Sequence, residues 1–194
     1  KKQKVFNEMK EVMKGHGVEK VYLAEVVGHY NLPPLLHKAY LTKNAKDHSV
    51  RVEKTKFSDR AMPIETFVEL VEQKETTSIV RVKISNGKTH QIRAHLAHIG
   101  HPIIGDTLYG EKSNLINRQA LHAYSLAFKQ PRTKENLEFK AELPNDIKIV
   151  VHSSDPNITP AYIIKKCKLK ENKVYETVKR IGGVDLKPQP IISN

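Results

Sequence analysis

Residues 87–110 read GKTHQIRAHLAHIGHPIIGDTLYG, and no other stretch of the chain limits the fold so tightly. Ile92, Leu96 and Ile99 recur at i, i+4 and i+7, which is one face of a short amphipathic helix. Thr89 is a suitable N-cap, since its hydroxyl can accept from a free amide of the first turn. Gly100 fits the position just past the C-terminus, where left-handed backbone is usual, and Pro102 stops the helix. A helix closed at both ends in so short a span has to lay its apolar stripe on another element. The same stretch holds His90, His95, His98, His101 and one arginine, Arg93.

That density of histidine raises the question of a metal. His95 and His98 stand at i, i+3, but no Glu lies between them as in H-E-x-x-H, and the nearest acid is Asp106 beyond the helix. The expectation is no metal. The other reading is an anion site, because the free amides, the dipole, Lys88, Thr89 and Arg93 all favour negative charge at the helix start. Arg93 follows the apolar Ile92 and so sits at the edge of the buried stripe. It is either a plain surface arginine or one aimed at a carboxylate or phosphate, and position alone leaves both open.

The chain around it alternates between helix and strand patterns. Residues 1–14 place Val5, Met9 and Val12 on one helical face, with Phe6 and Met13 beside them. Gly15-His16-Gly17 ends that helix. Residues 18–27, VEKVYLAEVV, form a strand with Val21, Leu23 and Glu25 on one face and Tyr22, Ala24 and Val26 on the other. Residues 28–36, with Pro33-Pro34, are a loop, and 39–52 a hairpin or irregular segment. Strands are expected over 66–73 and 77–85, the second pointing Val80, Val82 and Ile84 one way and Ile79, Arg81 and Lys83 the other, before Asn86-Gly87. RQALHAYSLAF, from Arg118, starts a helix or strand, and residues 137–143 are a further strand ended by Pro144. From about Ser153 the composition turns to Pro, Asn and Ser and then to KKCKLKENK, so two parts are expected: a folded unit over 1–152 and a basic extension over 153–194.

The bulk numbers narrow the function. The 194 residues are 39% hydrophobic, enough for one sizeable core. Lys and Arg outnumber Asp and Glu by 12, an excess that points to a polyanion, nucleic acid first. Only 6% of residues are aromatic and none is Trp, which argues against a single-strand stacking platform. The lone Cys167 excludes an internal disulfide framework and fits a reducing compartment. No apolar run is long enough for a transmembrane helix, and no signal peptide is expected within these residues.

The stretch at residues 87–110 closely resembles the signature of the RluA-like family of RNA pseudouridine synthases: Gly-Arg-Thr-His-Gln-Ile-Arg, a His-rich aliphatic helix, Gly-His-Pro-Ile-x-Gly-Asp, then Tyr-Gly. Lys88 stands where Arg is usual. VEKVYLAEVVG resembles the family's strand with Lys-x-Tyr. AYLTKNAKDHSVRV resembles its next linker, with Lys43-Asn44 where Arg-Asp is common. RQALHAYSLAF and LEFKAELPNDI resemble its closing segments. The likeness runs from Lys1 to about Ile149.

What the resemblance implies is specific. The fold is α+β, a mixed, mostly antiparallel sheet with flanking helices and long loops. The activity is isomerisation of uridine to pseudouridine in structured RNA, ribosomal or transfer RNA, with no cofactor and no metal. The base leaves the stack to be reached, and an aspartate is the nucleophile. Tyr22 matches the tyrosine that stacks on the base and assists proton transfer. Arg93 matches the arginine that pairs with the catalytic aspartate, and Ile92 packs near the base. Lys88, Thr89, His90, Gln91 and His95 are the expected RNA-contacting set. Asp106 is given a structural hydrogen-bonding role.

The family's nucleophile lies in an Arg-Leu-Asp-x-x-Thr-Ser-Gly stretch, and none occurs here. Asp47, Asp59 and Asp106 sit in the wrong contexts. The catalytic aspartate is therefore expected upstream of Lys1, and residues 1–194 alone are expected to be inactive. A sheet lacking its earlier strands needs an N-terminal half or another chain to cover its edge. The alternative is a non-catalytic RNA-binding component of a ribosome or of its assembly. Either is expected in the cytoplasm or a mitochondrial matrix.

Overall fold

The computed structural model describes residues 2–15, 17–44, 49–85 and 87–148. The basic extension with Cys167, together with His16, Asp47 and Asn86, lies outside the described residues. Among the described residues, helices α1 (Lys2–Lys14) and α2 (Gln91–His98) accompany the strands β1 (Val18–Val27), β2 (Leu35–Lys43), β3 (Val50–Glu53), β4 (Met62–Gln73), β5 (Thr77–Ile84), β6 (Leu121–Lys129) and β7 (Asn136–Lys140). They form one sheet in the order β3-β2-β4-β5-β1-β6-β7. All six pairings are antiparallel, so the described sheet has no parallel pair beside the mixed one expected.

Alternation sets which face is buried. Tyr22 pairs with Val82 and Ala24 with Val80, so the Tyr22, Ala24, Val26 face of β1 and the Val80, Val82, Ile84 face of β5 line one side. With Val26, Ile84 and Val68 of β4 they make the main apolar cluster, closed from above by Ile92, Leu96, Ile103 and Ile116. A second cluster of Ala39, Leu41, Val50, Val52 and Ile64 receives Ala94 of α2. The helix thus sits across the junction of the two, with Ile92 and Leu96 on one side and Ala94 on the other. Each fully buried aliphatic contributes roughly 1.5–3 kcal/mol. The opposite face mixes charge with apolar area: Arg81 binds Glu69 at 2.8 Å, and Lys83 lies 5.4 Å from the ring centre of Phe67.

The start of α2 differs from the expectation. His90, not Thr89, is the N-cap, with φ of 53° in the left-handed region and no capping side-chain bond. Thr89 is exposed. Gln91 reaches Glu65 O and Thr66 Oγ1 on β4 through its amide nitrogen, and this anchorage sets the entry angle of the chain. Its amide oxygen accepts from the Lys88 N–H at 3.0 Å, which ties the residues before the helix to its first turn. The C-terminus follows the pattern: Gly100, at φ 89°, donates to Ala97 O, and His101 donates to Leu96 O.

The loop after α2 ties the helix to β1. Ile103 bridges Val26, Val27 donates to Pro102 O, and Ile104 donates to Glu25 O. Gly105 is at φ 74°, and a Cβ there would meet Arg118 O at 2.5 Å, so only glycine fits this crossing. At the far end, α1 is joined to the β6–β7 turn by Glu8 and Arg132 at 2.7 Å. Its apolar stripe is only partly covered, with Phe6 61% exposed.

Candidate active site

The predicted residues separate into three groups. The first gathers at the start of α2. Arg93 donates from Nε to Asp106 Oδ2 at 2.7 Å and from Nη2 to Asp106 Oδ1 at 2.6 Å, a bidentate fork. Asp106 is buried, and its Oδ1 also accepts from the amides of Leu108 and Tyr109. Burial alone raises the carboxyl of Asp106. The Arg93 hydrogen bond and charge and the two amides outweigh it and hold the group below its ordinary value. The same hydrogen bond raises Arg93. The carboxylate that Arg93 faces in the described residues is therefore Asp106.

Tyr109 completes this group. Its ring centre lies 5.3 Å from the Arg93 guanidinium carbon, and its hydroxyl sits 3.1 Å from His90 Nδ1. Burial lowers the pKa of His90, Arg93's charge adds to this, and Asp106 opposes it. His90 thus stays neutral near pH 7.

The second group is internal. Gln91, Ile92 and His95 are almost wholly buried, so the RNA-contacting set expected there splits. The polar atoms of Gln91 are taken by Lys88, Glu65 and Thr66. His95 Nδ1 shares a hydrogen bond with Thr66 Oγ1 at 2.8 Å, and its ring meets that of His37 edge-on. Burial, with the charges of His37 and His98, pushes His95 down to about 4. His37 is lowered by burial and bonds the hydroxyl of the fully buried Tyr30 at 3.1 Å. Lys88 remains half-exposed and Thr89 exposed at the mouth of this region. Among the described residues no three His, Cys, Asp or Glu side chains are grouped to hold a metal ion.

The third group is Tyr22. It is half-buried on the cluster face of β1, packed against the cluster that contains Ile92. Its β6 partner Ala123 is exposed, so the floor beside Tyr22 opens to solvent. The register of β1 against β6 shifts between Val21 and Tyr22, a bulge that loosens the ladder at this residue. Burial raises the Tyr22 phenol, which stays protonated at neutral pH. Among the described residues no hydrogen bond joins Tyr22 to Arg93. They are linked through β1, whose far end holds the loop that carries Asp106.

A family profile described as RNA pseudouridylate synthase matches residues 1–98. The ribosomal large subunit pseudouridine synthase C of Haemophilus influenzae is 32% identical over 158 residues, covering 78% of this chain and 48% of that protein. An RNA pseudouridine synthase of Bacillus subtilis, YjbO, is 41% identical over 96 residues, 50% of this chain and 34% of the relative. The solved human RNA pseudouridylate synthase domain containing 1 superposes with a TM-score of 0.59 at 28% identity, over 72% of this chain and 59% of that one. The chain belongs to the RNA pseudouridylate synthase family. It spans about half or less of the length of these curated relatives.

Sequence reasoning missed Tyr109, Thr66 and His37 as members of these groups. Tyr109 had a signal: it stands three residues after Asp106 and before Gly110, where a Cβ would meet Pro102 at 2.9 Å. Thr66 and His37 had none, because their meeting with α2 depends on the β2–β4 register, which pairs them.

Proposed function

We propose that the protein isomerises uridine to pseudouridine in structured RNA, with ribosomal RNA the first candidate and transfer RNA the second. The observation that carries this reading is the setting of Tyr22, a half-buried, protonated phenol on an open sheet floor in a chain of this family. A base taken out of the stack needs a flat surface with a polar tip, and such a floor offers both. The reaction breaks the glycosidic bond to nitrogen and makes one to carbon in the same base, so no atom is gained or lost. It calls for a carboxylate nucleophile, which this reading places upstream of Lys1.

Arg93 serves by orientation. Asp106 holds two of its nitrogens, and Nη1 bonds no described residue, so that edge is available to a carboxylate or a phosphate. Lys88, Thr89 and His90 are the surface residues that meet the RNA backbone. Gln91, Ile92 and His95 act from inside, by fixing the helix. The net charge of +12 suits phosphate contact. The relatives named for the ribosomal large subunit favour ribosomal RNA, and with it a cytoplasmic or organellar-matrix setting.

The test uses the full-length protein with transcripts of large-subunit ribosomal RNA and of transfer RNAs. Pseudouridine is mapped by carbodiimide labelling and primer extension. Conversion at defined uridines is expected, falling about a hundredfold or more in Tyr22→Phe. Tight, salt-sensitive binding without conversion on any transcript would instead mark a non-catalytic RNA-binding protein of the ribosome or its assembly.

A further inference from the structure

We infer that Tyr109 is a positioning residue for Arg93, holding the guanidinium plane by its ring while its hydroxyl joins the edge strand β3 to the start of α2. The inference rests on the reading of Arg93 given above. Its geometry comes from four elements. The hydroxyl accepts from the Val50 N–H at 2.8 Å and bonds His90 Nδ1 at 3.1 Å. The ring packs on the second apolar cluster, meets the His90 ring edge-on at 5.8 Å, and faces Arg93. Its own amide donates to Asp106, and the Gly110 amide donates to Asp106 O at 2.8 Å.

Each of these bonds removes a freedom from Arg93. Asp106 fixes one edge of the guanidinium and Tyr109 one face, which leaves the Nη1 edge pointing in a single direction. His90 is the joint of the loop and the helix, in left-handed backbone that a non-glycine residue keeps only when its surroundings hold it there. The hydroxyl of Tyr109 is part of what holds it. A tyrosine that merely filled space would have its hydroxyl in water. This one stands between a strand amide and the ring that opens the helix.

The test is Tyr109→Phe in the full-length protein, which keeps the ring and removes the hydroxyl. Exchange of the Val50 amide and of the Arg93 Nε–H, followed by NMR, is expected to quicken about tenfold or more. The kcat for pseudouridine formation is expected to fall about ten- to hundredfold with KM unchanged. Tyr109→Leu, which also removes the face, should fall further. If Tyr109→Phe does not fold, His90→Asn cuts the same joint from the helix side, and asparagine tolerates the left-handed backbone. The same kcat loss is then expected. Faster Val50 exchange with unchanged Arg93 exchange and unchanged kcat would overturn the inference. If the wild type forms no pseudouridine, the functional reading fails, and Arg93 Nε–H exchange alone still decides the role of Tyr109.

Discussion

The ground beneath α2 and the floor around Tyr22 lie on one face of one sheet, yet they are built on opposite terms. Under α2 the polar groups are sealed: Thr66, Gln91, His95 and Asp106 are each no more than 2% exposed, and each has a partner inside the protein. Tyr22 itself is half-buried: its β5 partner Val82 and the cluster it packs on are buried, while its β6 partner Ala123 is exposed, so apolar packing lies on one side and an open edge on the other. Sealed polar groups are costly to disturb because each lost partner leaves a buried charge or dipole unmet. An open floor costs little to alter and can admit a ligand. On the function proposed above, the His-rich stretch is the frame of the site and the strand carries the surface for chemistry.

The largest blow to this contrast comes from Asp106→Ala. It leaves the Arg93 guanidinium, 16% exposed, without its carboxylate, and about 3–5 kcal/mol of stability should go. Urea unfolding of the full-length protein reads it. A loss under about 1 kcal/mol would mean the fork is effectively solvated.

Acid should act on the sealed side next. His95 is held at about 4 in the fold against 6.5 when unfolded, so the unfolded chain binds the extra proton between those values. Its stabilising effect is full above about pH 6.5 and is lost as pH falls toward 4, by at most about 3 kcal/mol. His37 and His90, also lowered, act in the same direction. Melting temperature measured from pH 7 to 4 should decline, and His95→Gln should flatten the decline. A parallel decline in that variant would put the effect elsewhere.

Thr66→Val is milder. It keeps the shape and removes the oxygen that serves both Gln91 and His95, for about 1–3 kcal/mol. Loss of the partner should also raise the exchange rate of the Gln91 side-chain amide, and an unchanged rate would show that water replaces the hydroxyl.

The smallest change in stability belongs to Tyr22→Phe, within about 0.5 kcal/mol, even though its conversion of uridine is expected to collapse. A loss of stability as large as that of Thr66→Val would put Tyr22 among the framework and remove the contrast.

Much of the fold was legible. The alternation put Val80, Val82 and Ile84 on one face of β5 and Tyr22, Ala24 and Val26 on one face of β1, because period two fixes which residues share a face, and packing then chose these faces for the main cluster. RQALHAYSLAF stayed undecided between helix and strand and is the strand β6, since its place is taken by pairing with β1. The loop expected to reach Leu36 ends earlier, because Leu35 and Leu36 already pair with Val68 and Phe67. Thr89 was a good N-cap by local rule, yet His90 takes that place, next to Gln91, whose anchor Thr66 on β4 lies 25 residues away in sequence.

The sequence by itself determined the family, the one helix closed by Gly100 and Pro102, the faces of the central strands and the pairing of Tyr22 and Arg93 as candidates. Those are local patterns, written within a few turns or strand residues of each other. Only the tertiary structure decided that Arg93 is gripped by Asp106, that Gln91 and His95 look inward, and that Tyr109 joins β3 to α2. These depend on strand register and on how closely the loop after α2 can cross Gly105, and neither is a property of any single segment.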